Sequence, residues 1–545
     1  MRRLALVALL QYPLPAFATE AGLDVGHVVD SGSVHADNAT VDSTGTPWVR
    51  INMRLDAWSA PDDDTRRGPD QLTWFEAYDR VIDDYLARGI QVYALINDEA
   101  LSSAQPHGSD AWIADYVQNA VKIVDHFKNR VRVFEIINEP NDYAGGSSAR
   151  FTARAYAKIL QDTYLAVKHD AGHTGDRCWQ VQLVSGPLFS FDGNSSASYL
   201  QQAYSIGKSQ LAWDYTHEVT GSYPLDGIGY HMYVAQGLDS ANADVRTEMR
   251  LNLGALWNVV TSYEGADTAK RVWVSEYGWE AGVVGDAVQA QRMQAGHAAM
   301  AELGYVALAL YFNFQDFPGA SYGVYDDASQ PRPAAGMLKS LAGTPRRARI
   351  VDAVMPALEP GAVGDALVTL ENRGTTTWTD EFRLASAPGC PDAARENAIA
   401  WEPNAGYANG LTDARVLLPH PVAPGESIVI HVPVRAPAEP GEYTFAARMV
   451  HEGVEFFGPT VSGVVTVAAG NGSGDGSGSD GDHDGDHGSS GGCSTSRNDS
   501  AWLVLVLGVL LARRRSPHST TVRSIRRRSR PTSRCIPTRS TSPAT

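Results

Sequence analysis

Two glutamates sit where short apolar runs are cut off by residues that cannot continue a strand. Glu139 stands in Ile137-Asn138-Glu139-Pro140-Asn141, and Glu276 in Val272-Trp273-Val274-Ser275-Glu276-Tyr277-Gly278-Trp279. Pro140 has no N–H to give to a strand ladder, and Gly278 interrupts the second run. Two carboxyl groups facing each other across a cleft suit cleavage of a glycosidic bond: one protonates the leaving oxygen while the other attacks the sugar carbon or activates water. One such glutamate is as readily a helix cap or the partner of a surface lysine. Two, each at a strand end before a breaker, are what a functional face collects.

The elements that would hold them in place alternate. Strand-like runs occupy residues 49–55, 91–96, 131–137, 181–185, 227–230, 271–275 and 306–312, with an eighth near 23–29. Amphipathic helical stretches lie between them. One begins at Ser109 or Asp110 and aligns Ile113, Val117, Val121, Val124 and Phe127; another runs from Trp74 to Arg88 and stops at Gly89. Strands alternating with helices predict a parallel sheet, and eight units over about 325 residues predict an α/β (β/α)8 TIM barrel. The Glu139 and Glu276 runs are then the fourth and seventh strands, ending at the face where such barrels carry their chemistry.

Within residues 49–55, Val49, Ile51, Met53 and Leu55 would face the helices, leaving Arg50, Asn52 and Arg54 toward the lumen. The same alternation puts Glu135 and Glu139 on one face of the fourth strand. Side chains of alternate strands share barrel layers, and neither charge is stable buried alone, so Arg50 and Glu135 are expected to form an inner ion pair.

Composition excludes several classes. The chain has 545 residues with 43% hydrophobic and 20% charged side chains, which is globular composition and enough for at least two cores. The net charge is -17, but ten arginines lie after residue 512, so residues 1–512 carry 35 basic against 62 acidic side chains, a net of -27. So acidic a body repels phosphate backbones and argues against a nucleic-acid partner. Cys178, Cys390, Cys493 and Cys535 form neither a disulfide framework nor a CxxC metal site, and no Gly-rich phosphate loop is present, so no metal and no cofactor is expected. Twelve Trp and 22 Tyr are a generous aromatic supply, for cores or for the flat faces of sugar rings.

The two ends read as addresses. Arg2-Arg3, an apolar run at 4–10 and Ala16-Phe17-Ala18 describe a secretory signal over residues 1–18. Residues 469–492 are almost wholly Gly, Ser, Asp, Asn and His, a flexible linker; the alternating Asp480, Asp482, Asp484 and Asp486 lack the closing glutamate of calcium loops. Gly492-Cys493, an apolar run at 501–512 and Arg513-Arg514-Arg515 follow. Twelve helical residues span about 18 Å, short of a ~30 Å hydrocarbon core. Over 493–515 this stretch resembles the myxobacterial-type C-terminal sorting tag, which implies anchoring or display at the cell surface with Cys493 as the processing point. Such tags stop soon after the arginines; the Ser/Thr/Arg-rich residues 516–545 depart from that pattern, as a disordered tail or a reading-frame artefact.

Between these ends the chain divides at about residue 345. Residues 346–468 carry short strands separated by Pro360-Gly361, Pro424-Gly425 and Pro440-Gly441, an antiparallel β-sandwich pattern. Asn372-Arg373-Gly374-Thr375-Thr376-Thr377-Trp378 and Phe456-Phe457-Gly458 resemble the four-tryptophan-type Ig-like domain, although several of its tryptophan positions are not obvious here, with Ala446-Ala447 before Arg448-Met449. No paired acids appear in it, which leaves polysaccharide binding or, the favoured reading, a spacer.

Residues 19–345 also resemble a family. Phe134–Asn141, read as FEIINEPN, is similar to the acid/base motif of the clan A (4/7 superfamily) retaining glycoside hydrolases, which include families 5 and 39. The likeness continues through Trp48-Val49-Arg50-Ile51, Gly229-Tyr230-His231-Met232-Tyr233, VSEYGW and Pro331-Arg332-Pro333-Ala334. It implies Glu139 as general acid/base and Glu276 as nucleophile, Asn138 bonding the sugar 2-OH, and His231 and Tyr233 bordering the reacting sugar, with the Tyr233 hydroxyl on Glu276. It places Arg50 beneath the nucleophile, holding it ionised, and makes Trp279 and Trp58 candidate sugar platforms. Two departures touch the reacting-sugar subsite: Tyr311-Phe312-Asn313 where many members have Trp, and Asn97-Asp98 where family 5 often has His. The resemblance implies an exported or surface-anchored retaining glycosidase acting on a poly- or oligosaccharide. A non-catalytic carbohydrate-binding surface protein on the same barrel is the alternative.

Overall fold

The computed structural model describes residues 19–142, 150–170, 181–189, 194–236, 244–343, 345–387, 397–402 and 414–468. The segments read as signal, linker, sorting tag and tail lie outside these residues.

Eight parallel strands form the first domain: β1 (Glu20–Gly26), β2 (Trp48–Met53), β3 (Gln91–Ile96), β4 (Val133–Ile136), β5 (Gln182–Ser185), β6 (Ile228–His231), β7 (Val272–Tyr277) and β8 (Val306–Tyr311). Each neighbours the next in the sheet except β5 and β6, and β8 returns to β1. The last gap is closed by a parallel bridge between Val184 and Gly227 and by Leu188–Phe189, which follows β5 and pairs with Tyr230 and His231. The expected (β/α)8 barrel is the structure.

The local chemistry agrees. Helix Trp74–Ala87 opens with a Thr73/Glu76 capping box, and Gly89 follows it at φ 73°. Ser109, not Asp110, caps helix Asp110–Phe127. That helix buries Ile113, Tyr116, Ala120, Ile123, Val124 and Phe127, while Val117 and Val121 only flank the stripe. Outward residues of the strands join this helical layer: Val49, Ile51, Met53 and Leu55 all belong to it. The lumen has its own apolar floor of Trp48, Tyr93, Val133, Val184, Trp273, Leu308 and Leu310. Above the floor the lumen turns polar.

The second domain is a two-sheet β-sandwich. One sheet orders Ala348–Val354, Val363–Asn372, Ser427–Arg435 and Ala400–Trp401; the other orders Ala357–Leu358, Glu455–Val467, Gly441–His451, Phe382–Ser386 and Arg415–Leu417. Strict alternation along Ser427–Arg435 sends Ile428, Ile430, Val432 and Val434 into a core shared with Trp378, Phe445 and Phe457. This sandwich packs against the end of the barrel where strands begin. Buried Arg347 donates from Nε to the Gly89 carbonyl (3.0 Å) and from Nη1 to that of Gly45 (2.8 Å). Asp42 lies between Arg347 (3.6 Å) and Arg373 (3.3 Å). At Gly89 a Cβ would meet the Ala348 carbonyl at 2.5 Å, so the two domains touch backbone to backbone.

Candidate active site

Arg50, on β2, is the hub of the polar lumen. Its Nε donates to Glu135 Oε2 (2.8 Å), Nη1 to Asp24 Oδ2 (2.6 Å) and to Glu276 Oε1 (2.7 Å), and Nη2 to Asn138 Oδ1 (2.8 Å). Burial alone would lower the Arg50 pKa, but Glu135, Asp24 and Glu276 outweigh it and raise it, so the guanidinium stays charged. Glu135, fully buried, also accepts from Tyr93 Oη (2.8 Å) and Ser275 Oγ (2.7 Å). That group is scaffold: each of its oxygens is engaged and none reaches the mouth.

Glu276 reaches the mouth through an irregularity. Plain alternation on β7 would send Trp273, Ser275 and Tyr277 inward. The register with β6 shifts between Val274 and Glu276, and that with β8 between Val274 and Tyr277. Glu276 therefore turns into the lumen and Tyr277 outward against Trp279 and Tyr311, as bulges re-aim side chains. Once there, Glu276 Oε1 accepts from Arg50 and Oε2 from the Tyr233 hydroxyl at 2.6 Å.

Glu139 arrives differently. β4 ends at Ile136, and Ile137 and Glu139 both take positive φ, 70° and 43°. A left-handed β-branched residue is strained and needs support from its surroundings. Gly186 provides room: a Cβ there would stand 1.9 Å from the Ile137 carbonyl oxygen and 2.4 Å from that of Ile136. Asn97 completes the hold, its Oδ1 accepting from the Asn138 N–H at 3.0 Å. Gly186→Ala is expected to lower stability by about 1–3 kcal/mol. It should also lower any turnover by about 10²-fold, because it displaces Asn138 and Glu139 by a fraction of an ångström or more. Parallel urea melts and rate assays check this; a stability loss without a rate loss would contradict it.

His231 stands between the two acids. Its Nδ1 is 2.6 Å from Glu139 Oε1, and Nε2 is 3.3 Å from Glu276 Oε1, outside hydrogen-bond geometry. Burial pushes the His231 pKa down to about 4, so the ring is neutral near pH 7. Burial pushes Glu139 up to about 7, with Asp142 adding to it and Arg50 and Arg150 opposing. It pushes Glu276 up to about 7 as well, against His231 and Arg50. What separates the two acids is their partners. Glu276 faces a guanidinium and a hydroxyl, both able to donate to its anion; Glu139 faces a neutral ring. Glu139 is therefore the better placed of the two to hold a proton.

Glu139, His231 and Glu276 offer donor atoms within 4.8 Å of one another, the one metal-like cluster of that kind among the described residues. Arg50, 2.7 Å from Glu276, already supplies a cation there, so the set answers better to carboxyl chemistry. Asn138 has its carbonyl oxygen committed to Arg50, which only donates, leaving its amide N–H groups for a ligand acceptor.

One expectation fails. Trp279 is fully buried, its indole N–H given to the Val234 carbonyl at 2.7 Å, so it presents no face to a sugar. Trp58 is buried too, bonded to the Arg66 carbonyl at 3.0 Å. Aromatic surface at the mouth comes from other rings. Phe189, Phe312 and Tyr322 stand around Tyr233 at 6.0, 6.2 and 5.8 Å between ring centres. Asp24, the third acid on Arg50, was also missed; an acid inside the apolar β1 run was its signal.

A family model described as "Ig-like domain from next to BRCA1 gene" matches residues 356–467, the sandwich. No curated protein matches the sequence. Among solved structures the chain is similar to a family 39 glycoside hydrolase from the gut symbiont Bacteroides cellulosilyticus WH2, at 15% identity and TM-score 0.43, over 76% of this chain and 81% of that one. It is similar also to a GH128 (subgroup II) endo-beta-1,3-glucanase from Sorangium cellulosum, at 16% identity and TM-score 0.35, over 59% and 98%. A GH5-4 broad specificity endoglucanase from Clostridium acetobutylicum gives 11% identity and TM-score 0.39, over 59% and 97%.

Proposed function

We propose that the protein is a retaining glycoside hydrolase that cleaves β-O-glycosidic bonds of a poly- or oligosaccharide by double displacement. The observation that carries this reading is that Glu139 and Glu276, from strand ends on different sides of the barrel, bring carboxyl oxygens within 4.8 Å of each other. Retaining enzymes hold their carboxyl groups ~5–5.5 Å apart, whereas inverting ones leave ~6.5–9.5 Å for a water. Glu276 Oε2, oriented by Tyr233, attacks the sugar carbon. Glu139 gives its proton to the leaving oxygen and, as its base form, then activates the water that releases the glycosyl group from Glu276. Asn138 donates to the 2-OH of the reacting sugar. His231 keeps the proton on the correct acid.

Export and surface anchoring belong to the same proposal, supported by the residues of 1–18 and 493–515. The sandwich is proposed as a spacer.

The acid role is tested with leaving groups. Glu139→Ala should slow glycosides of poor leaving groups by about 10²–10⁴-fold. Dinitrophenyl glycosides, which leave unprotonated, should keep a fast first step. In the wild type, kcat/KM should fall as pH rises through about 7, because the form lost is the protonated Glu139. That alkaline limb should vanish for Glu139→Ala on the dinitrophenyl substrate. A wild type as inert as Glu139→Ala on every aryl glycoside would leave a carbohydrate-binding protein instead.

A further inference from the structure

The loop after β8 makes a small hairpin. Phe317 and Ala320 pair backbone to backbone, at 3.0 and 3.3 Å, around Gly319 at φ 92°. Asp316 clamps its base: Oδ1 accepts from the Gly323 N–H (2.8 Å) and Oδ2 from Arg332, which also holds Asp286 at 3.0 Å. Phe317 is 43% exposed. Among the described barrel residues, the other comparably exposed aromatic ring is Tyr215, on helix Trp213–Thr220, which leads into the start of β6 rather than the mouth. Leaving a phenyl ring in water forfeits its burial energy, and here the ring is held on an anchored turn instead of being folded inward.

Phe317 is also continuous with the site. Its ring lies edge-to-face with Phe312 at 6.0 Å; Phe312 meets Tyr233 at 6.2 Å; Tyr233 bonds Glu276. The direction follows from the acid. Glu139 serves the oxygen of the leaving group, so that group stands nearest β4, and the sugar under attack continues away from it, past Glu276 toward β8. We infer that Phe317 is the stacking platform for a second sugar ring, the one joined to the reacting sugar on its non-leaving side, so that the enzyme releases a disaccharide or longer piece. This rests on the hydrolase reading and adds to it which substrates are taken.

The test compares p-nitrophenyl monosides with the matching p-nitrophenyl disaccharides, in gluco, manno and xylo series, for wild type, Phe317→Ala and Phe317→Trp. The leaving group is constant, so the difference reads the second sugar alone. Phe317→Ala should lower kcat/KM for the preferred disaccharide about tenfold and leave the monoside within about twofold, with Phe317→Trp restoring the disaccharide. Equal losses on both substrates, or none on either, would overturn the platform while leaving the hydrolase intact. A wild type inert on every pair would remove the hydrolase reading and the platform with it. Because Phe317 is exposed, its variants should melt with the wild type, and a shared melting temperature confirms that the rates compare folded enzymes.

Discussion

Glu276→Gln should lower kcat by about 10⁴-fold or more, equivalent to ~5.5 kcal/mol of barrier. The amide keeps the size of the side chain but cannot form the glycosyl ester, so chemistry stops at its first step. Glu276→Gly opens space at the same place, and added azide should then restore turnover by attacking the face the carboxylate used, giving a glycosyl azide of inverted configuration. The pairing of the two results matters. Loss without azide rescue would fit a residue that merely holds the substrate. A Glu276→Gln variant within tenfold of wild type would end the assignment of the nucleophile.

Arg50→Met should produce the largest loss of stability. Asp24, Glu135 and Glu276 all lie within 2.8 Å of the guanidinium, and all three are buried. Removing one partner of a buried ion pair costs about 3–5 kcal/mol, since the remaining charge is left uncompensated. The sign with pH can be worked out. Burial raises the Glu276 pKa and Arg50 opposes that rise, so without the cation its folded pKa lies further above the unfolded one and the folded variant binds more protons than the unfolded chain. Acid should therefore narrow the gap between Arg50→Met and wild type, and alkali should widen it. Urea unfolding at several pH values gives the measurement; a gap independent of pH would mean that the lost packing of the arginine stem explains the change.

How much of this was legible in the residues depends on period. The eight strands follow from two-residue alternation and β-branched runs, and the Arg50–Glu135 contact follows from the same alternation once β2 and β4 share a lumen. That contact is found at 2.8 Å. Glu276 was placed at a strand end, but its inward aim depends on a register shift that no glycine or proline announces. Plain alternation keeps Ser275 inward, as found, but would turn Glu276 outward and Tyr277 inward. Glu139 likewise reaches the mouth through left-handed turns at Ile137 and Glu139 rather than by continuing the strand. Trp279 misled for another reason: it stands three residues past Glu276, yet a tryptophan's face is decided by what packs over it. The Val234 carbonyl takes its N–H and the helical layer takes its ring. The aromatic wall joins loops after β5, β6 and β8, which are far apart in sequence, so only the closed sheet reveals it.

The sandwich grips the barrel beneath its floor through Arg347 and Asp42, at the end opposite Glu139 and Glu276. That choice of end leaves the rim that carries Glu139 and Glu276 clear of the second domain. For the proposed hydrolase, a glycan too large or too immobile to diffuse, such as an insoluble wall or a gel, is then open to approach head-on.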